Sequence, residues 1–291
     1  MMKKRGFTLT EVIVVVGLIA LVTTLLLPAV QRSRQDARQI QCKNNLKQIG
    51  LALHNYHDTF LTLPPAWVAK DGAPGPITRF GWQSFLLPFV DQAPLYNRMN
   101  FHKPDQDADG NPGELSQIVL TAYRCPDDLT PPLNPLRDEY ATSNYSGNYG
   151  DVPARLRPLG LGDFWPGMVE PPMKSRGLFA RNSSVRMREI SDGLSNTLMV
   201  GERGYTSGSA IWIGVTDNAH DDDAVTDCSH RSTPNSGWSA FSSRHAGGVH
   251  ILLGDGAARF IKNTIESKAA PEMGIFQKLA CKDDGQKIAN Y

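Results

Sequence analysis

Three groups of residues offer chemistry. At the N-terminus, Lys3, Lys4 and Arg5 precede Gly6 and Phe7, and a carboxylate, Glu11, stands at the lip of a run without charge from residue 12 to 30. A carboxylate at a bilayer's centre costs about 2.5–3.5 kcal/mol, so one placed at its edge invites a cationic partner. The second group is His245, followed after nine residues by Asp255-Gly256. An imidazole and a carboxylate form an acid–base pair, yet no G-x-S-x-G or H-E-x-x-H motif accompanies them. The expectation is a structural His245–Asp255 hydrogen bond across the foot of a hairpin, and no enzymatic activity. The third is Asp105, Asp107 and Asp109 before Gly110, which matches the first half of a calcium loop. Ser116 occupies the place of the bidentate glutamate and Glu114 falls two residues early, so this is no EF-hand. Calcium is the one cofactor the sequence suggests, with a second acidic stretch at 217–227 as a weaker candidate.

These groups need elements to hold them. Residues 12–30 are long enough to cross a bilayer as a helix. Beyond them, Cys42, Leu46, Ile49, Leu53 and Tyr56 recur at helical spacing, among Arg, Lys, Gln and Asn. One helix is therefore expected from about residue 8 to 57, about 75 Å long, with Gly17 and Pro28 loosening it and Pro64-Pro65 beyond its end. Short strands are expected at 177–179, 198–202 and 210–215, and residues 80–90 read as buried. Residues 248–253 and 257–262 flank Gly254-Asp255-Gly256, a hairpin signal in which Asp-Gly suits a type I′ turn. Val249, Ile251 and Leu253 would share a face, with Phe260 a candidate for the same core. The fold class is α+β: a long N-terminal membrane-spanning helix packed on an antiparallel β-sheet with long, loop-rich insertions.

Composition narrows the class. The chain has 291 residues and a formal net charge of +1; without the three basic residues of 1–6, 27 basic residues face 29 acidic ones, a balance of −2. That gives no electrostatic reason to expect nucleic acid as a partner. Cys42, Cys125, Cys228 and Cys281 include no CxxC pair. If the domain lies outside the cytoplasm disulfides are permitted, and spacing does not choose among the pairings. Basic residues flank the apolar run on both sides, at positions 3–5 and at Arg32, Arg34 and Arg38, so charge does not orient it.

The order Lys4-Arg5-Gly6-Phe7-Thr8-Leu9-Thr10-Glu11 resembles the processing site of type IV prepilins and type II secretion pseudopilins. The resemblance implies cleavage between Gly6 and Phe7 by prepilin peptidase, methylation of the new N-terminus, and pairing of Glu11 with a neighbouring subunit's amine during assembly. The His245-x9-Asp255-Gly256 pattern is similar to the C-terminal signature of a large domain-of-unknown-function family with prepilin-type N-termini. Residues 42–60, Cys125-Pro126-Asp127-Asp128 and 190–203 match that family too. Some pseudopilins bind calcium in a C-terminal loop, which bears on the acidic stretches. The implied organisation is a leader at 1–6, a transmembrane assembly helix at 7–30, its amphipathic continuation at 31–63, and an extracytoplasmic domain at 64–291. The implied function is that of a pilin-like subunit of a pilus or type II secretion pseudopilus, in the inner (cytoplasmic) membrane, with its domain periplasmic or extracellular. Implied partners are prepilin peptidase, other pilin or pseudopilin subunits and the lipid bilayer. The alternative is a membrane-tethered module that binds carbohydrate or protein and does not polymerise.

Overall fold

A computed structural model describes residues 9–68, 79–103, 105–106, 111–151, 175–215, 224–268, 272–286 and 288. Helix α1, Leu9–Phe60, runs 52 residues through Pro28 without a break. Its first part is exposed on every side, as a segment meant for lipid would be. Its second part buries Cys42, Asn45, Leu46, Ile49, Gly50, Ala52 and Leu53, the stripe expected from spacing widened by small and polar neighbours. Tyr56 closes the stripe half-buried, its ring 4.5 Å from Phe60 and 5.9 Å from Phe89.

The remaining elements, in chain order, are β1 (Arg79–Phe80), α2 (Trp82–Phe85), α3 (Ala93–Tyr96), β2 (Leu133–Asn134), β3 (Tyr140–Ser143), β4 (Tyr145–Gly150), β5 (Leu198–Glu202), β6 (Ala210–Ile211), β7 (Gly214–Val215), β8 (Val225–Asp227), β9 (Gly248–Leu253), β10 (Ala258–Lys262) and α4 (Ile275–Ala280). The main sheet has the order β10-β9-β5-β4-β8, antiparallel except for the β4–β8 pair. Two small sheets, β2-β3-β6 and β1-β7, sit beside it. Strand β5 matches expectation. The 210–215 stretch is divided between two sheets, and 177–179 is not a strand but a bend whose amides reach Asn148 and Tyr149 carbonyls.

The main sheet is covered on both faces. On one, Leu46, Ile49 and Leu53 of α1 join a core with Val200, Leu252, Trp82 and Phe179. On the other, Leu198, Val249, Ile251, Leu253 and Ile261 meet Phe276 and Leu279 of α4. Gly50 permits the close approach of α1 to β9, because a Cβ there would stand 2.9 Å from Leu252 Cδ1.

The hairpin corrects one expectation. Leu253 N donates to Ala257 O at 2.9 Å, so the turn holds three residues, 254–256, with Gly256 at φ +82°. That is the loop in which a residue in the left-handed region follows a type I turn, not the two-residue type I′ turn. The register changes with it: Phe260 pairs with His250 rather than Ile251. Phe260 therefore leaves the core of Val249, Ile251 and Leu253 for the opposite face, 38% exposed, while Ile261 takes the core position.

Candidate functional site

On the α1 face of the sheet, Val200 and Glu202 of β5 lie beside His250 and Leu252 of β9, because side chains alternate along each strand. Past Leu252, toward the membrane end of the packed helix, this face turns polar. Glu202 is 2% exposed. Its Oε2 accepts the His250 backbone N–H at 2.7 Å, and its Oε1 lies 3.1 Å from His245 Nε2. His250 Nδ1 stands 3.3 Å from Oε1 and Oε2. The other ring nitrogen of His245, Nδ1, faces Asp127 Oδ2 at 3.4 Å. The remaining oxygen of Asp127 accepts from Arg38 Nε at 2.9 Å, which ties the cluster to α1. The Arg244 guanidinium donates to the Asp127 carbonyl at 3.3 Å.

The electrostatics follow from burial and pairing. Burial alone would push the Glu202 carboxyl up. Hydrogen bonds from His245 and His250, and the electrostatic attraction of the two rings, outweigh it and hold the carboxyl below its ordinary range. Burial would likewise lower His245, but the hydrogen bond to Glu202, the Glu202 charge and Asp127 raise it. The cluster is a buried imidazole held between two carboxylates, both of which favour its protonated form.

Cys42 of α1 and Cys125 form a disulfide against this cluster, with Cys125 Sγ 3.8 Å from His245 Nε2. Asn144, between β3 and β4, holds the loop after Cys125: its Oδ1 accepts Cys125 N–H at 2.9 Å and its Nδ2 donates to Asp128 Oδ2 at 2.8 Å. Arg203 is fully buried and spends its guanidinium on the carbonyls of Ser207, Val225 and Trp238. A shallow pocket with Cys125, Asp128, Asn144, Glu202 and Arg203 in its wall opens onto the cluster.

His245 and Asp255, expected to bond each other, lie beyond opposite ends of β9. His245 pairs with Glu202 and Asp127, whereas Asp255 Oδ1 accepts the Ala257 N–H within its own turn at 2.9 Å. Gly256 lies against α1 about three turns along from Cys42; a Cβ on it would come 3.7 Å from His54 Nε2. The signature thus holds one helix at two separated points. Glu202, Asp127 and His250 escaped the sequence reading, although Glu202 and Asp127 stand inside the segments that carried the family resemblance.

Glu11 lies in the first turn of α1 and is exposed. Gly6 and Phe7 fall outside the described residues, as do Asp107, Asp109 and most of 217–227. Asp105 is described: its Oδ2 accepts the Ser116 N–H at 2.5 Å and its carbonyl accepts the Gly113 N–H at 2.8 Å. Cys228 and Cys281 are free and buried; burial, the largest influence on each, pushes both thiols up, Cys281 to about 12. Neither is a ready thiolate at neutral pH.

No curated protein matches this chain, and no solved structure matches it. Two family models do. The prokaryotic N-terminal methylation motif covers residues 1–27, which marks a prepilin-type N-terminus, and the apolar start of α1 makes the protein membrane-anchored. The second model covers residues 31–268, so that the amphipathic half of α1, the disulfide, the His245 cluster and the hairpin all fall within it, and the chain belongs to the family described as Protein of unknown function (DUF1559).

Proposed function

We propose that this protein is a pilin-like structural subunit, cut between Gly6 and Phe7 by prepilin peptidase and assembled through α1 into a pilus or type II secretion pseudopilus. The observation that carries the reading is the division of α1. Residues 9–30 present apolar side chains on all sides with nothing of the domain against them, while the turns from Cys42 to Leu53 are sunk in the domain. A helix built in this way holds a subunit in the bilayer and, once extracted, packs against copies of itself. Glu11 at its head is the carboxylate that a neighbouring subunit's N-terminal amine would pair with. Before extraction the helix sits in the inner membrane with the domain on the exported side, where a disulfide is stable.

The buried cluster supports a structural rather than a catalytic role. Both ring nitrogens of His245 are held by carboxylates, and the sulfur beside it is committed to the disulfide. The test is Glu11→Ala in the native host, with peptidase deletion alongside. Processing should continue in the variant and incorporation into filaments should fail; unchanged incorporation defeats the assembly reading. A processed chain that remains monomeric in the membrane would instead favour a tethered binding module.

A further inference from the structure

The ligand atoms of Cys42, Cys125, Glu202 and His245 all lie within 4.8 Å of one another, and all four residues are buried. Tetrahedral zinc has bonds of about 2.0–2.3 Å, which sets its ligands about 3.3–3.8 Å apart. Cys125 Sγ to His245 Nε2 at 3.8 Å and His245 Nε2 to Glu202 Oε1 at 3.1 Å are already close to those separations. We propose that the Cys42–Cys125 disulfide is the oxidised form of a metal site, and that the reduced protein binds one zinc ion through both sulfurs, His245 Nε2 and Glu202 Oε1.

Three features around the four residues fit a metal rather than a chance cluster. Asp127 faces His245 Nδ1 at 3.4 Å, so the proton is kept on that nitrogen and Nε2 is turned inward as the ligand. The other oxygen of Glu202 is fixed by the His250 N–H, which holds the carboxylate so that Oε1 faces His245 Nε2, the side on which the ion would sit. A small pocket borders the cluster at Cys125 and Glu202. Two thiolates and a carboxylate with one neutral imidazole match the donors zinc prefers.

The chemistry balances with a dithiol as reductant, such as a CxxC protein on the exported side. Two electrons and two protons pass from the dithiol to the Cys42–Cys125 bond, the donor becomes a disulfide, and Cys42 and Cys125 become thiols. Zinc then displaces the two thiol protons and the Nε2 proton of His245 to solvent. The sulfurs part while α1 remains held by its packing from Leu46 to Leu53.

The experiment uses the full-length protein in detergent micelles, disulfide-intact or reduced with a phosphine under argon, titrated with Co²⁺ and then Zn²⁺. The reduced protein should take up one cobalt per chain, with sulfur-to-cobalt charge-transfer absorption and the intense visible bands of a tetrahedral ion, and one zinc should displace it. The intact protein should show neither. Cys228→Ser with Cys281→Ser should bind as the parent does, and Asp127→Asn should weaken affinity about 10–100-fold. If reduction loosens the domain, restoration of its near-ultraviolet circular dichroism by zinc supports the site. The proposal is overturned by a reduced protein that takes up no stoichiometric cobalt, by equal binding to the intact form, by loss of the sulfur bands in the Cys228 and Cys281 double variant, or by a loosened domain that zinc does not restore.

Discussion

Replacing both bridged cysteines, Cys42→Ala with Cys125→Ala, tests how much of the domain's stability is held in one bond. The two residues are separated by 83 positions in sequence. In the chain-entropy model a closed loop of that length removes about 15 cal/mol/K from the unfolded chain, or about 4.6 kcal/mol at 25 °C. The loop encloses the end of α1, the first small strand, α2 and α3, so the unfolded chain gains that freedom while few native contacts change. The substituted protein should lose about 3–5 kcal/mol in urea unfolding followed by tryptophan fluorescence, and the slope against urea should rise because its unfolded state is less compact. Trp82 and Trp212, both fully buried, report on the domain rather than the membrane helix. A loss under about 1 kcal/mol with an unchanged slope would refute the claim that the bridge acts by constraining the unfolded chain.

Further outcomes follow from the cluster and the core. Glu202→Gln keeps the shape but leaves His245 facing a neutral amide in a buried site, and should cost about 3–5 kcal/mol by thermal or urea unfolding near pH 6. Stability should depend on pH through the same groups, with Asp127, His250, Arg38 and Arg244 around them. The raised His245 contributes fully below its ordinary value of 6.5 and is lost as pH climbs through its folded value; the lowered Glu202 contributes fully above 4.5 and is lost as pH falls through its folded value. The cluster's share should thus be greatest between about pH 4.5 and 6.5, and Glu202→Gln should flatten it; a parent protein whose urea midpoint is the same at pH 5.5 and 8.5 would contradict this. Leu46→Ala opens a cavity between α1 and the sheet and should cost about 2–5 kcal/mol, whereas Phe260→Ala, on the partly exposed face, should cost clearly less when unfolded side by side.

Local patterns in the sequence carried much of this structure. The stripe of Cys42, Leu46, Ile49 and Leu53 needs only helical period to be read, and β5 and the β9–β10 hairpin announce themselves by apolar runs and glycine punctuation. The turn within the hairpin was harder, because Gly254-Asp255-Gly256 suits a two- or a three-residue loop, and one residue of slip sends Phe260 to the other face. The site was harder still. His245 draws its carboxylates from positions 43 and 118 residues away, and they meet only once β5 has paired with β9 and the Cys125 loop is bonded to α1. Asp255, nearer in sequence, is separated from His245 by the length of a strand. Pairing among four cysteines is equally non-local, since spacing says nothing of which chain segments the sheet brings together.

The order of attachments along α1 has a mechanical meaning. Residues 31–41 stand largely clear of the domain, about 16 Å of bare helix. A pull on the membrane end travels up that shaft and meets the Arg38–Asp127 ion pair first, then the covalent tie at Cys42, and only afterwards the packed turns from Leu46 to Leu53. Tension is handed to the loop at Cys125 before it can peel the helix from the sheet. Whatever force draws the helix from the bilayer, the extensive non-covalent packing lies downstream of the covalent tie.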